Sequence, residues 1–169
     1  MIFVTFPLML CALVPVILVE AWVGRPLLQI GFSRSTWVFA IANVVSTVVG
    51  VPAAWVATFA LEFIFWTTFG RVIPDKGWEG PVGMVISTIM GPAWLGPSDA
   101  YWAVPLAAMV LLVPSFFASW YIEAFVLDQM LDSEWSVVRD TSFKANLASY
   151  TLLFAGGCVW LAIALVRNR

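Results

Sequence analysis

Two glutamates, two asparagines and two serines carry the chemically loaded pattern in this 169-residue chain. Glu20, Asn43 and Ser46 recur as Glu123, Asn146 and Ser149, each shifted by the same 103 positions. A carboxyl group beside a carboxamide and a hydroxyl can bind a proton, a hydrated cation or an amine. The same groups can also simply bond to one another, each Asn amide donating to a Glu and clamping two helices together. Interhelical polar bonds of this kind contribute on average about 0.6 kcal/mol, up to roughly 2, and they fix register. An ionisable side chain within an apolar helix is a candidate site by default, because its charged form is expensive in hydrocarbon. The six residues therefore have two chemical readings, a structural clamp and a working site. Thr47 and Glu62 extend the set on the same segment; Glu62, towards that segment's end, reads first as an interfacial anchor.

The surrounding sequence repeats with them. Glu20-Ala21-x-Val23 falls on Glu123-Ala124-x-Val126, Leu28 on Leu131, Ser33 on Ser136, and Ala42-Asn43-x-x-Ser46 on Ala145-Asn146-x-x-Ser149, all without a gap. Shared apolar composition readily matches Val, Leu and Ala. It does not readily match Glu to Glu and Asn to Asn in one register, so the chain reads as an internal duplication.

The elements that must position these residues are long and apolar. Hydrophobic residues make up 62% of the chain and charged ones 11%, with a mean hydropathy of +0.97. A soluble domain is nearer one-quarter charged, so the solvent implied is a bilayer. Four runs are long enough to cross a hydrocarbon core of about 30 Å, at about 2–23, 36–69, 101–127 and 145–166. None alternates with the period of 2 expected for a membrane barrel strand. Residues 1–23 lack the basic start and small-residue cleavage site of a signal peptide and read as a true helix. Gly50 and Pro52 predict a bend in the second run. Asn43, Ser46, Thr47, Gly50, Ala54, Ala57 and Ala60 form a small-and-polar stripe along it, suited to close helix packing. Cys11 and Cys158, in different runs, read as buried apolar residues.

The expected fold is thus an all-α integral membrane domain of four transmembrane helices, repeat A in 1–69 and repeat B in 101–169. Each repeat is a helix hairpin, so the copies are parallel and related by a pseudo-two-fold axis along the membrane normal. Residues 70–100, punctuated by three Gly-Pro steps and carrying Trp78 and Trp94, read as an interfacial cap. Lys and Arg number four on each side, leaving the orientation open. The acidic stretch 128–144 reads as a solvated linker.

Several function classes fall away. The absence of His removes zinc sites and haem ligation that depend on imidazole. No EF-hand spacing, P-loop, dinucleotide fingerprint or G-x-S-x-G is present, so neither a metal nor a cofactor is expected. A net charge of −2 without a basic stripe speaks against nucleic acid. The expectation is a non-catalytic multi-pass protein, an accessory or assembly subunit held by its polar clamp, whose partners are the bilayer and a larger membrane complex or a second copy. The alternative is a small proton- or cation-coupled transporter or channel that uses the paired glutamates.

Overall fold

A computed structural model describes residues 2–69, 88–89 and 101–167. Its principal elements are four α-helices, α1 (Ile2–Leu27), α2 (Phe32–Phe69), α3 (Ala103–Met130) and α4 (Trp135–Arg167). All four are long and apolar enough to cross a membrane. At 1.5 Å per residue the 38 residues of α2 measure roughly 57 Å, well beyond a hydrocarbon core of about 30 Å. Pro52 lies inside α2, and the helix runs through it unbroken despite the amide bond it removes. The capping loop expected at 70–100 lies outside the described residues, apart from Thr88 and Ile89.

Each helix packs on its two neighbours in a closed ring, α1 on α2, α2 on α3, α3 on α4 and α4 on α1. The connections α1–α2 and α3–α4 are the tight ones, residues 28–31 and 131–134. Connections this short force antiparallel neighbours. Leu28 and Leu131 belong to one apolar cluster with Ala21, Val38, Phe39, Ala42, Leu127, Val138 and Ala145, so both connections close the same end of the bundle.

The first connection is a Schellman turn. Gln29 takes a left-handed φ of 54°, and the Ile30 amide donates to the Arg25 carbonyl at 3.2 Å. The second has the same length but an extended Leu131, with φ −128° and ψ 134°.

Packing beneath the connections is tight. A Cβ on Gly24 would stand 2.3 Å from the Phe39 ring, which is itself fully buried. Glycine at 24 is what lets that ring in. The positions 103 residues on are Leu127 and Ser142, both buried, with large and small exchanged. The α3–α4 hairpin carries in addition an aromatic zipper between its two helices. Phe116 meets Phe143 and Tyr150 edge-on with ring centroids 5.7 and 5.4 Å apart, and Trp120 meets Phe143 at 5.3 Å.

The exterior is apolar, with Trp22, Trp37, Val48, Phe63, Tyr121 and Val166 among many large exposed side chains, while Glu, Asn, Ser and Thr are buried within. That inverts the arrangement of a soluble domain, where exposed apolar patches are small.

The structure corrects four sequence expectations. Helix α4 begins at Trp135, ten residues before the predicted start, so most of the supposed acidic linker is helix. Val138, Thr141, Ser142 and Ala145 are its buried stripe, at helical spacing. Along α2 the small-residue stripe divides, since Ala54 is buried whereas Ala57 and Ala60 are exposed. Both cysteines are exposed on the outside of the bundle. Glu62 is buried, 5% exposed, on the face of α2 that carries Ala54 and Thr58, instead of reaching outward as an anchor.

Candidate functional site: a polar layer above the core, floor of a cavity

The six residues singled out from sequence meet in one buried layer. Glu20 comes from the last two turns of α1 and Glu123 from the same depth of α3; Asn43 and Ser46 stand on α2, Asn146 and Ser149 on α4. Both glutamates are sealed from the surface, at 0% and 1% exposure.

Within each hairpin an asparagine donates to a glutamate. Asn43 Nδ2 reaches Glu20 Oε2 at 2.5 Å, and Asn146 Nδ2 reaches Glu123 Oε2 at 2.6 Å. The second proton of each amide goes one turn back along its own helix, to the Phe39 carbonyl at 2.9 Å and the Ser142 carbonyl at 3.1 Å. Between hairpins the serines cross over. Ser149 Oγ donates to Glu20 Oε1 at 2.6 Å, and Ser46 Oγ donates to Glu123 Oε1 at 2.9 Å. Every carboxyl oxygen thus accepts a bond from a neutral donor, and each glutamate is held by both hairpins at once. Glu–Asn pairing was one of the two readings of the sequence; the crossing serines were not legible, because one hairpin's sequence does not state how the other faces it.

Three further bonds, one in α1–α2 and two in α3–α4, tie a hairpin without a counterpart in the other. Ser35 Oγ donates to the Ala21 carbonyl at 2.8 Å in α1–α2. In α3–α4, Ser142 Oγ donates to the Trp120 carbonyl at 3.1 Å and Trp120 Nε1 to the Arg139 carbonyl at 3.2 Å.

On one side of the layer lies the apolar cluster of the connection end. On the other a cavity of about 640 Å³ opens between the helices. Its polar end is made by Asn43, Ser46 and Glu123, with Thr47, Ser119 and Tyr150 beside them and Ser115 further along the wall. The Tyr150 hydroxyl donates to Ser119 Oγ at 3.0 Å. The rest of the wall is apolar and includes Leu13, Val51, Leu112 and Trp160. Gly50 and Ala54 line this cavity, and a Cβ at Gly50 would stand 3.7 Å from Ala118 and Ile122, so that part of the α2 stripe packs on α3 beside the opening. Gly157 does make a close contact, since a Cβ there would meet Met109 Cγ at 2.8 Å.

Comparison with known proteins gives a short answer. No family model, curated protein or solved structure matches the chain.

Glu20, Asn146 and Ser149 do not line the cavity, whereas Asn43, Ser46 and Glu123 do. The layer therefore presents one side only. Thr47 reaches the cavity too, while Glu62 takes no part in its lining. Sequence reasoning missed Ser115, Ser119 and Tyr150. Their positions 103 residues earlier are Ala12, Val16 and Thr47, so a search for identical residues at that offset passes over them. A Ser-x-x-x-Ser on α3, one turn before Glu123, was the available signal.

Proposed function

We propose that this is a non-catalytic, multi-pass integral membrane protein built from two duplicated helix hairpins, and that its polar layer is the clamp joining them. The carrying observation is reciprocity: each glutamate takes an asparagine from its own hairpin and a serine from the other. The helix boundaries support the same reading. Leu27 and Met130 end α1 and α3, and Phe32 and Trp135 begin α2 and α4, each pair again 103 residues apart. Compensation at Gly24/Phe39 and Leu127/Ser142 also fits two copies that keep one volume while exchanging large and small. Parallel hairpins of this kind are related by a pseudo-two-fold axis along the membrane normal.

In such a protein the apolar exterior faces lipid. The function that follows is an accessory or assembly subunit, whose work is to hold its own shape within a larger membrane complex. The test is purification from native membranes in a mild detergent. A stoichiometric larger complex is expected; a protein isolated alone that drives ion or solute flux in liposomes contradicts the reading.

The second reading, a small proton- or cation-coupled transporter, rests on the contact between Glu123 and the cavity. It requires pH-dependent uptake by proteoliposomes that is abolished when Glu20 and Glu123 are both replaced by Gln.

A further inference from the structure

The polar layer holds a buried acceptor without a partner, Asn146 Oδ1, and the cavity meets the same layer from the side of Asn43, Ser46 and Glu123. Both amide protons of Asn43 are engaged, by Glu20 and the Phe39 carbonyl. Both protons of Asn146 are engaged as well, by Glu123 and the Ser142 carbonyl. Each serine hydroxyl has one proton, drawn to a glutamate and to the carbonyl three residues back. Acceptors remain in excess. Asn146 Oδ1 is buried with no partner. Asn43 can still offer only its Oδ1, and each carboxyl oxygen has a second lone pair beyond the bond it already takes. Turning either amide over would set its oxygen against a carboxyl oxygen, so the unpartnered oxygen is not a matter of amide orientation.

The charge count points the same way. The layer holds two carboxyl groups, and no Lys or Arg lines the cavity among the described residues. A buried carboxyl without a cation must be neutralised by a proton or by a bound positive group. The cavity meets the layer at Glu123, buried at its floor, and has apolar walls beyond it. Its volume of about 640 Å³ falls within the roughly 300–1,000 Å³ of small-molecule sites, which are mostly apolar with a few convergent polar groups.

We propose that the cavity binds an amphiphilic amine of single positive charge, its ammonium group against Glu123, Asn43 and Ser46 and its hydrocarbon body along the apolar walls. An ammonium brings three donors and no acceptor, the complement of this floor. An alcohol brings one donor and no charge. A fatty acid brings a second acceptor-rich group into an acceptor-rich site. An aminophospholipid carries a phosphate that no cation on the described wall would neutralise. The proposal stands apart from the clamp reading, because the clamp concerns the stability of the unliganded protein.

The test uses the full chain in phosphatidylcholine nanodiscs, titrated at pH 7 with dodecylamine, dodecanol and dodecanoic acid, with the thermal unfolding midpoint as readout. Dodecylamine is expected to raise the midpoint saturably, with an apparent affinity at least about tenfold tighter than dodecanol, while dodecanoic acid has no effect. Ala108→Phe and Gly156→Leu narrow the cavity away from the polar layer; a Cβ at Gly156 meets nothing within 4 Å. Both should abolish the amine's effect. Glu123→Gln, where it folds, should weaken the amine about tenfold and erase its advantage over the alcohol. Equal effects of the three probes, or an amine effect that survives in both cavity-filled variants, overturns the proposal. Competition by phosphatidylethanolamine, exchanged for the phosphatidylcholine, overturns its restriction to a single-charge amine.

Discussion

The α1–α2 and α3–α4 hairpins hold Glu, Asn and Ser at matching depths with matching bonds, yet beyond these α3–α4 sets Ser115, Ser119 and Tyr150 on the cavity wall where α1–α2 sets Thr47. Ser115, Ser119 and Tyr150 stand where α1–α2 has Ala12, Val16 and Thr47, and all six line the same cavity. What matches between the hairpins is what joins them. What differs is what the cavity presents. A clamp in which each glutamate depends on the opposite serine must keep both halves, whereas a cavity with one wall richer in polar groups needs only one hairpin to change. The difference separates two roles on one scaffold, and each role can be broken alone.

The largest expected effect is on the shared layer. Replacing Glu123 by Leu leaves one proton of the Asn146 amide without its acceptor and Ser46 with only the Asn43 carbonyl. An unsatisfied buried polar group costs about 1–3 kcal/mol, so a loss of roughly 3 kcal/mol is expected in reversible unfolding in micelles. Glu20→Leu should cost about the same, for the same reason. A cost confined to one of the two would mean that the hairpins are not held equally.

The next effect sharpens the comparison at the connection end. Gly24→Leu drives a side chain into the Phe39 ring and should destabilise by about 1–3 kcal/mol, the usual range for overpacking. Adding Phe39→Ser recreates in α1–α2 the large–small pair that α3–α4 already has at Leu127 and Ser142. Most of the lost stability should return on the same unfolding curve. If the double variant is no better than the single one, the two positions are not equivalent in space.

The smallest effects belong to the cavity wall. Tyr150→Phe removes one hydroxyl bond to Ser119 and should cost about 1 kcal/mol or less. Ser115→Ala, for which no hydrogen bond is found, should stay within about 0.5 kcal/mol. A cavity residue whose loss costs as much as Glu123 would show that wall and clamp are one device.

Much of this was open to the sequence, for physical reasons. Helix α1 and most of α2 and α3 were legible because hydrocarbon-length apolar runs leave few alternatives. The first ten residues of α4 were not, since Arg139, Asp140 and Lys144 face outward and mask the stripe of Val138, Thr141 and Ser142. The Glu–Asn pairs were legible because Glu-Ala-x-Val and Ala-Asn-x-x-Ser each occur twice at one offset. The serine crossing, the unpartnered Asn146 Oδ1 and the cavity depend on how the hairpins face each other, which no repeat unit states by itself. Tyr150 lay hidden for the opposite reason, having no copy.

The central claim, that the polar layer joins the two hairpins reciprocally, is tested most directly by paired double-mutant cycles across the interface. One cycle combines Ser149→Ala with Glu20→Gln and the other combines Ser46→Ala with Glu123→Gln, each read by reversible unfolding in micelles. Coupling of about 1–2 kcal/mol is expected in both cycles, equal to within about 0.5 kcal/mol. Coupling near zero in either cycle would contradict the account.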